Sequence, residues 1–244
     1  MGHAWESRDE AVVAASVEDV WAAIATGPGI DSWYMGRTEV EPGRAVRTDV
    51  GGFAMEGAVT AWEPPTRFAY RVDGPGERFI AFEFFVEGRD QSSTVLRNVA
   101  SGFLPDDDWE AEFEAMSAGG EMYFRTLVAY LDHFAGRFAK PINVSGPPVT
   151  DWPKAWARLN AALGLADQPT IGDQVRVTVP GVGELAGEVD FVNAKALGIR
   201  TADGLYRFIE GFFGSFVLGH HLFAAAEADH NGQAWKAWLS GLTA

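Results

Sequence analysis

The chain contains no cysteine. Disulfides, thiolate nucleophiles and cysteine-based zinc sites are therefore excluded. Histidine is scarce, with five residues. Its one adjacent pair, His220-His221, would point to opposite faces of a strand, and no third ligand stands at metal spacing, so a structural or surface role is expected. Positive charge is also short: 19 Lys and Arg stand against 34 Asp and Glu, a formal net charge of −15. That balance argues against nucleic acid, whose binding needs basic patches, and against anionic membrane surfaces. No apolar run approaches the ~18 residues of a membrane span. The opening residues show no signal-peptide pattern, so the expected compartment is the cytoplasm. No nucleophile stands in a recognisable elbow. Gly181-Val182-Gly183 lacks the Lys-Ser/Thr of a phosphate loop and reads as a hairpin turn.

Aromatic residues are what the chain has in excess, with nine Trp and seventeen Phe among 244 residues. The length allows one large or two small domains. Asp106 to Phe138 has a helical period, with Trp109, Phe113, Met116, Gly120, Tyr123, Leu127, Tyr130 and Phe134 on one face. The acidic run Asp106-Asp107-Asp108 suits a helix start, Gly136 suits its end, and Gly119-Gly120 marks a place to bend or split. Such a stripe needs a large apolar surface opposite, and the preceding sequence supplies strands.

In order, Trp5 to Ala14 reads as a first strand. Ser16 offers an N-cap, with Asp19 three positions on, to a helix carrying Val17, Val20, Trp21 and Ile24. Gly27-Pro28-Gly29 breaks it, and Ile30 to Met35 predicts a short helical turn with Trp33. Six short runs follow, at 39–41, 45–50, 53–62, 67–73, 78–87 and 92–101, divided by turn residues as in an antiparallel meander. Phe68, Tyr70 and Val72 share one face, as do Ile80, Phe82, Phe84 and Val86, with Glu83 and Glu87 on the other. The expected fold class is α+β.

This order of strand, two short helices, meander and long helix resembles the START/Bet v I-like, or SRPBCC, superfamily with its helix-grip fold. The branch it is most similar to is the one named after the activator of the 90-kDa heat-shock-protein ATPase. The similarity is carried by residues 17–24 (VEDVWAAI), 29–35 (GIDSWYM), Gly57 and Val59, 61–70 (AWEPPTRFAY) and Gly102-Phe103. It covers roughly residues 5–137. It implies a helix-grip domain over 1–140 and, through the branch name, a link to stress response or chaperone regulation. Fold does not fix function here, since related proteins include lipid carriers, aromatic polyketide cyclases and co-chaperones.

Pro141 to Thr150, with three prolines, reads as a linker. Beyond it, residues 148–244 are expected to form a smaller α+β module of one helix, several strands and a closing helix over 228–242. Trp21, Gly57-x-Val59 and Arg71 have parallels in Trp156, Gly187-x-Val189 and Arg200. This predicts a truncated second copy, lacking the first strand and the Trp33 helix.

The expected site is an aromatic concavity between sheet and long helix. Its lining is Trp33, Met55, Tyr70, Phe82, Phe84, Asn98, Phe103, Trp109, Phe113 and Met116, with Tyr70 and Asn98 placed to orient a polar end. The function expected is binding of a hydrophobic small molecule, aromatic, polyketide-like or lipid-like, by a carrier, sensor or sequestering protein. The alternative is a cyclase or aromatase on the same fold. No catalytic residue, metal or cofactor is assigned, and a homodimer is left open.

Overall fold

The computed structural model describes all residues except 1, 51, 91–92, 106–108, 212–213, 224–230 and 244. The acidic run 106–108 and the predicted first turn of the closing helix, 228–230, lie outside the described residues. The chain divides into two compact units, Met1–Ala139 and Lys140–Ala244.

The first unit opens with β1 (His3–Val13) and α1 (Val17–Ala25). Ser16 caps α1 as its spacing predicts: its Oγ accepts from Asp19 N–H at 3.1 Å and donates to Asp19 Oδ2 at 2.8 Å. The second helical turn comes earlier than the sequence suggested. It is α2 (Gly27–Ile30), with Trp33 in the turns that follow. Thr26 caps it by accepting from Gly29 N–H at 3.1 Å, and proline is compatible with a first turn. Gly27 and Gly29 allow close approach there, since a Cβ would stand 2.2 Å from the Thr38 carbonyl oxygen and 1.9 Å from that of Ala22.

Six meander strands follow: β2 (Arg37–Glu41), β3 (Ala45–Val50), β4 (Phe53–Glu63), β5 (Arg67–Asp73), β6 (Phe79–Asp90) and β7 (Ser93–Leu104). The antiparallel sheet has the order β1-β7-β6-β5-β4-β3-β2, so the first strand closes against the last. The long helix α3 (Trp109–His133) runs unbroken through Gly119-Gly120 and approaches β1 and α1. Beyond its end Gly136 adopts φ +77°, the left-handed conformation glycine favours. The sheet's other face carries crossed ion pairs, Arg67 with Glu83 and Arg97 with Glu10 and Glu87, as Glu83 and Glu87 required.

The second unit corrects the linker. Residues Lys140–Pro148 form β8, which pairs with β13 (Ser215–Leu222). β8 is an edge strand, where proline's missing N–H costs no ladder bond on the open side. Between them lie α4 (Trp152–Ala162), β9 (Gln174–Val179), β10 (Gly183–Asn193), β11 (Ala196–Thr201) and β12 (Gly204–Glu210), and α5 (Asn231–Thr243) ends the unit. The order β8-β13-β12-β11-β10-β9 repeats the first unit's connectivity, with β8 in the place of β1. The first strand is therefore present; what is missing is the far edge strand, β2, together with α2.

The correspondence extends to register. Gly57, Ala58 and Val59 pair with Val72, Arg71 and Tyr70, and the ladder shifts between Val59 and Ala61. Gly187, Glu188 and Val189 pair with Thr201, Arg200 and Ile199, and that ladder shifts between Val189 and Phe191. The second unit's core is closed. Leu159, Leu163, Val189, Phe208, Phe216, Leu218, Trp235 and Leu239 are buried together. Trp235 meets His220 edge-to-face at 4.5 Å, a geometry in which buried ring N–H groups can face π surfaces.

Candidate functional site: the groove beneath the first half of the long helix

Strand alternation decides which side chains face α3. Across the ladders, Trp5 stands opposite Gly102 and Asp9 opposite Asn98. Asn98 stands opposite Phe84, and Phe82 opposite Ala100 and Tyr70. Trp5 reaches the helix at Phe113, with ring centroids 5.9 Å apart, which identifies this as the helix-facing side. Met55 shares that face through its neighbour Gly57, opposite Val72. Phe103 does not. It lies an odd number of residues from Asn98 along β7 and pairs with Phe79 and Ala4 on the other face. The expected lining included it, and the parity of β7 takes it out.

The helix-facing surface is closed at one end and open at the other. Toward the second half of α3, Phe68, Phe84, Val86, Leu96, Leu127, Tyr130 and Leu131 are buried. Trp33 belongs to this packed end: its ring meets Phe84 edge-on at 6.2 Å, and its indole N–H donates to the Ala23 carbonyl at 2.9 Å. Toward the first half, Met55, Tyr70, Phe82, Phe113 and Met116 stay half-buried. Gly120 falls on the sheet-facing stripe between Met116 and Tyr123, yet it is exposed, and a Cβ built there meets no atom within 4 Å. No side chain fills the stripe at this position.

The walls of this groove are aromatic. Tyr70 and Phe82 lie 5.2 Å apart, and Tyr34 and Tyr123 lie 4.4 Å apart. Trp109 stacks on His3 at 3.7 Å, so one of its faces is occupied, and it lies 6.1 Å from Phe113. An Arg78–Glu112 ion pair ties the residue just before β6 to the first turn of α3. Three buried polar atoms around the groove have no hydrogen-bond partner among the described residues: Trp5 Nε1, Asn98 Oδ1 and Tyr123 Oη. Leaving such groups unsatisfied costs on the order of 1–3 kcal/mol each. Burial raises the phenol pKa of Tyr34, Tyr70 and Tyr123, so all three stay protonated. Asp9 is raised by burial as well, with Arg125 opposing the shift and Glu121 adding to it.

Trp5, Asp9, Tyr34 and Tyr123 were not among the lining expected from the sequence, although Tyr123 stood on the helix stripe. Counting back by twos from the inward Val13 would have flagged Asp9 as a charged residue at an inward position. Among the described residues no group of three metal-ligating side chains exists, and no helix is long and apolar enough to cross a membrane. A shallow depression elsewhere is lined by Arg44, Arg47, Glu56, Arg71 and Asp73, already engaged in surface ion pairs.

Comparison with known proteins bears on the first unit above all. A family model described as "Activator of Hsp90 ATPase homolog 1-like protein" matches residues 14–132. No protein of curated function matches the chain. Among solved structures, protein MLL2253 from Mesorhizobium loti is 20% identical, covering 53% of this chain and 98% of its own, with TM-score 0.46. The Aha1 dimer from Colwellia psychrerythraea is 17% identical over 52% of this chain and 96% of its own, with TM-score 0.43. DynU16, from the dynemicin biosynthetic locus, is 18% identical and covers 98% of this chain and 95% of its own, with TM-score 0.44. The family match, spanning residues 14–132, falls within the N-terminal strand–helix–meander–helix unit, which is similar in sequence to the Aha1-like branch of the SRPBCC superfamily.

Proposed function

We propose that the first unit binds an apolar, aromatic small molecule in the groove between its sheet and the first half of α3, as a carrier, sensor or sequestering protein. The observation that carries this reading is Gly120, central on the sheet-facing stripe and opening onto empty space. The half-buried Tyr70, Phe82, Phe113 and Met116 around it offer the apolar walls. A ligand burying ~200 Å² of apolar surface gains about 5 kcal/mol before association costs. Tyrosines that hold their protons suit hydrogen bonding to a ligand better than proton transfer, which favours binding over turnover.

The test uses the full chain and the neutral fluorescent probe N-phenyl-1-naphthylamine. Gly120→Ala should stabilise the protein by about 1 kcal/mol through helix propensity, since its methyl meets nothing, and should still bind the probe. Gly120→Phe should fill the groove and weaken probe binding by about tenfold or more while the protein stays folded. Probe affinity unchanged in Gly120→Phe would remove the groove as the binding site.

A further inference from the structure

The floor of the groove carries a carboxylate and an amide side by side. Asn98 is only 9% exposed, and its Oδ1 is buried without a partner. Asp9 stands directly opposite it across the β1–β7 pair, on the same helix-facing side. Phe84, buried, flanks Asn98 on the next strand. No ion pair within 4 Å holds the Asp9 carboxyl among the described residues; Arg125, exposed on α3, acts on it only at longer range, and Glu121 adds negative charge from the same helix.

The chemistry that fits this floor is narrow. A ketone or ether brings no donor. A hydroxyl can donate to Asp9 but brings no charge to meet the carboxylate. A carboxylate or phosphate would set its charge against Asp9 and Glu121. A protonated amine brings two or three N–H donors and a positive charge, and bonds from such a group to a carboxylate are about twice as strong as neutral ones. The net charge of −15 draws cations toward the protein in general. We infer that Asp9 and Asn98 form an amine-binding subsite on the groove floor, and that the ligand class is an aromatic molecule bearing a protonated amine. This rests on the groove reading above.

The test displaces N-phenyl-1-naphthylamine from the full chain with three compounds that share one ring system: 1-naphthylmethylamine, 1-naphthylmethanol and 1-naphthoic acid. Roughly physiological salt screens the protein's general field. The amine should displace the probe about tenfold more effectively than the alcohol, with the acid weakest, as expected for one charge-assisted contact. In Asp9→Asn the amine and the alcohol should come within about twofold of each other, with the near-UV circular dichroism of the native fold retained. Equal displacement by amine and alcohol in the unaltered protein would overturn the subsite and leave the groove standing. An amine preference that survives in Asp9→Asn would show that the charge is read elsewhere, and would overturn it too. If the probe does not bind at all, the groove and the subsite fall together.

Discussion

Replacing Asp190 with alanine is expected to destabilise the protein by about 3–5 kcal/mol, the usual cost of stranding one member of a buried ion pair. Arg207 is only 1% exposed, and Asp190 meets its guanidinium in a fork, Nη1 to Oδ1 at 2.9 Å and Nη2 to Oδ2 at 2.8 Å. The side chains in this bridge are 1% and 11% exposed, so little solvent screens the loss. Gly198 leaves the room for the pair, because a Cβ there would come within 2.7 Å of both Arg207 Nη1 and Asp190 Oδ1. Denaturant unfolding followed by tryptophan fluorescence gives the number. The double replacement Asp190→Leu with Arg207→Leu should lose far less than Asp190→Ala, since it removes both charges together. An Asp190→Ala loss under about 1 kcal/mol would show that the guanidinium finds water.

Acid should weaken the second unit before carboxylates begin to protonate. His220 is fully buried, and its Nδ1 accepts from the Arg207 backbone N–H at 3.2 Å, so its one proton sits on Nε2. The rings of Trp235, Tyr206 and Phe208 stand 4.5, 4.9 and 5.2 Å away. Burial holds its pKa well below 6.5, and the nearby His221 and Arg207 push the same way. Below pH 6.5 the unfolded chain therefore binds a proton that the folded chain refuses. Stability is complete above that pH and falls by about 1.4 kcal/mol per pH unit beneath it, until the folded pKa is reached. Asp9 and Asp31, raised by burial, act in the opposite sense in their own lower range. Unfolding free energies measured between about pH 7.5 and 5.5 should show this slope, and His220→Gln should flatten it. A wild-type curve level across that window would contradict the buried neutral histidine.

Much of the fold was legible because period and parity are local properties. The β4, β5 and β6 runs and the α3 stripe carry their apolar residues at spacings that name both element and face. Pro141 to Thr150 misled because proline content is read as a loop signal, whereas an edge strand, here Lys140–Pro148, has an open side that needs no N–H. The facing of the candidate groove's walls was legible, since Tyr70, Phe82, Phe113 and Met116 follow from alternation and helical period. The groove's opening was not. Gly120 reads as a gap in a stripe, and only the fold shows that the gap stays unfilled. Asp9 escaped because polar residues occupy both faces around it in β1, so its inward facing shows only by counting from Val13.

The closure of each sheet by its own first strand has a consequence for how the chain acquires its structure. His3 finds its partner Leu104 only after about a hundred residues have been made, and Lys140 waits about eighty for Leu222. Each meander can pair hairpin by hairpin as it leaves the ribosome, but β1 and β8 have nothing to join until β7 and β13 exist. Non-local pairing of this kind places the units among slow folders, on the millisecond-to-second scale, and leaves the opposing edges of β7 and β13 briefly open to other chains. Because synthesis completes β7 well before β13, the groove-bearing unit can close its sheet while the second unit is still being made.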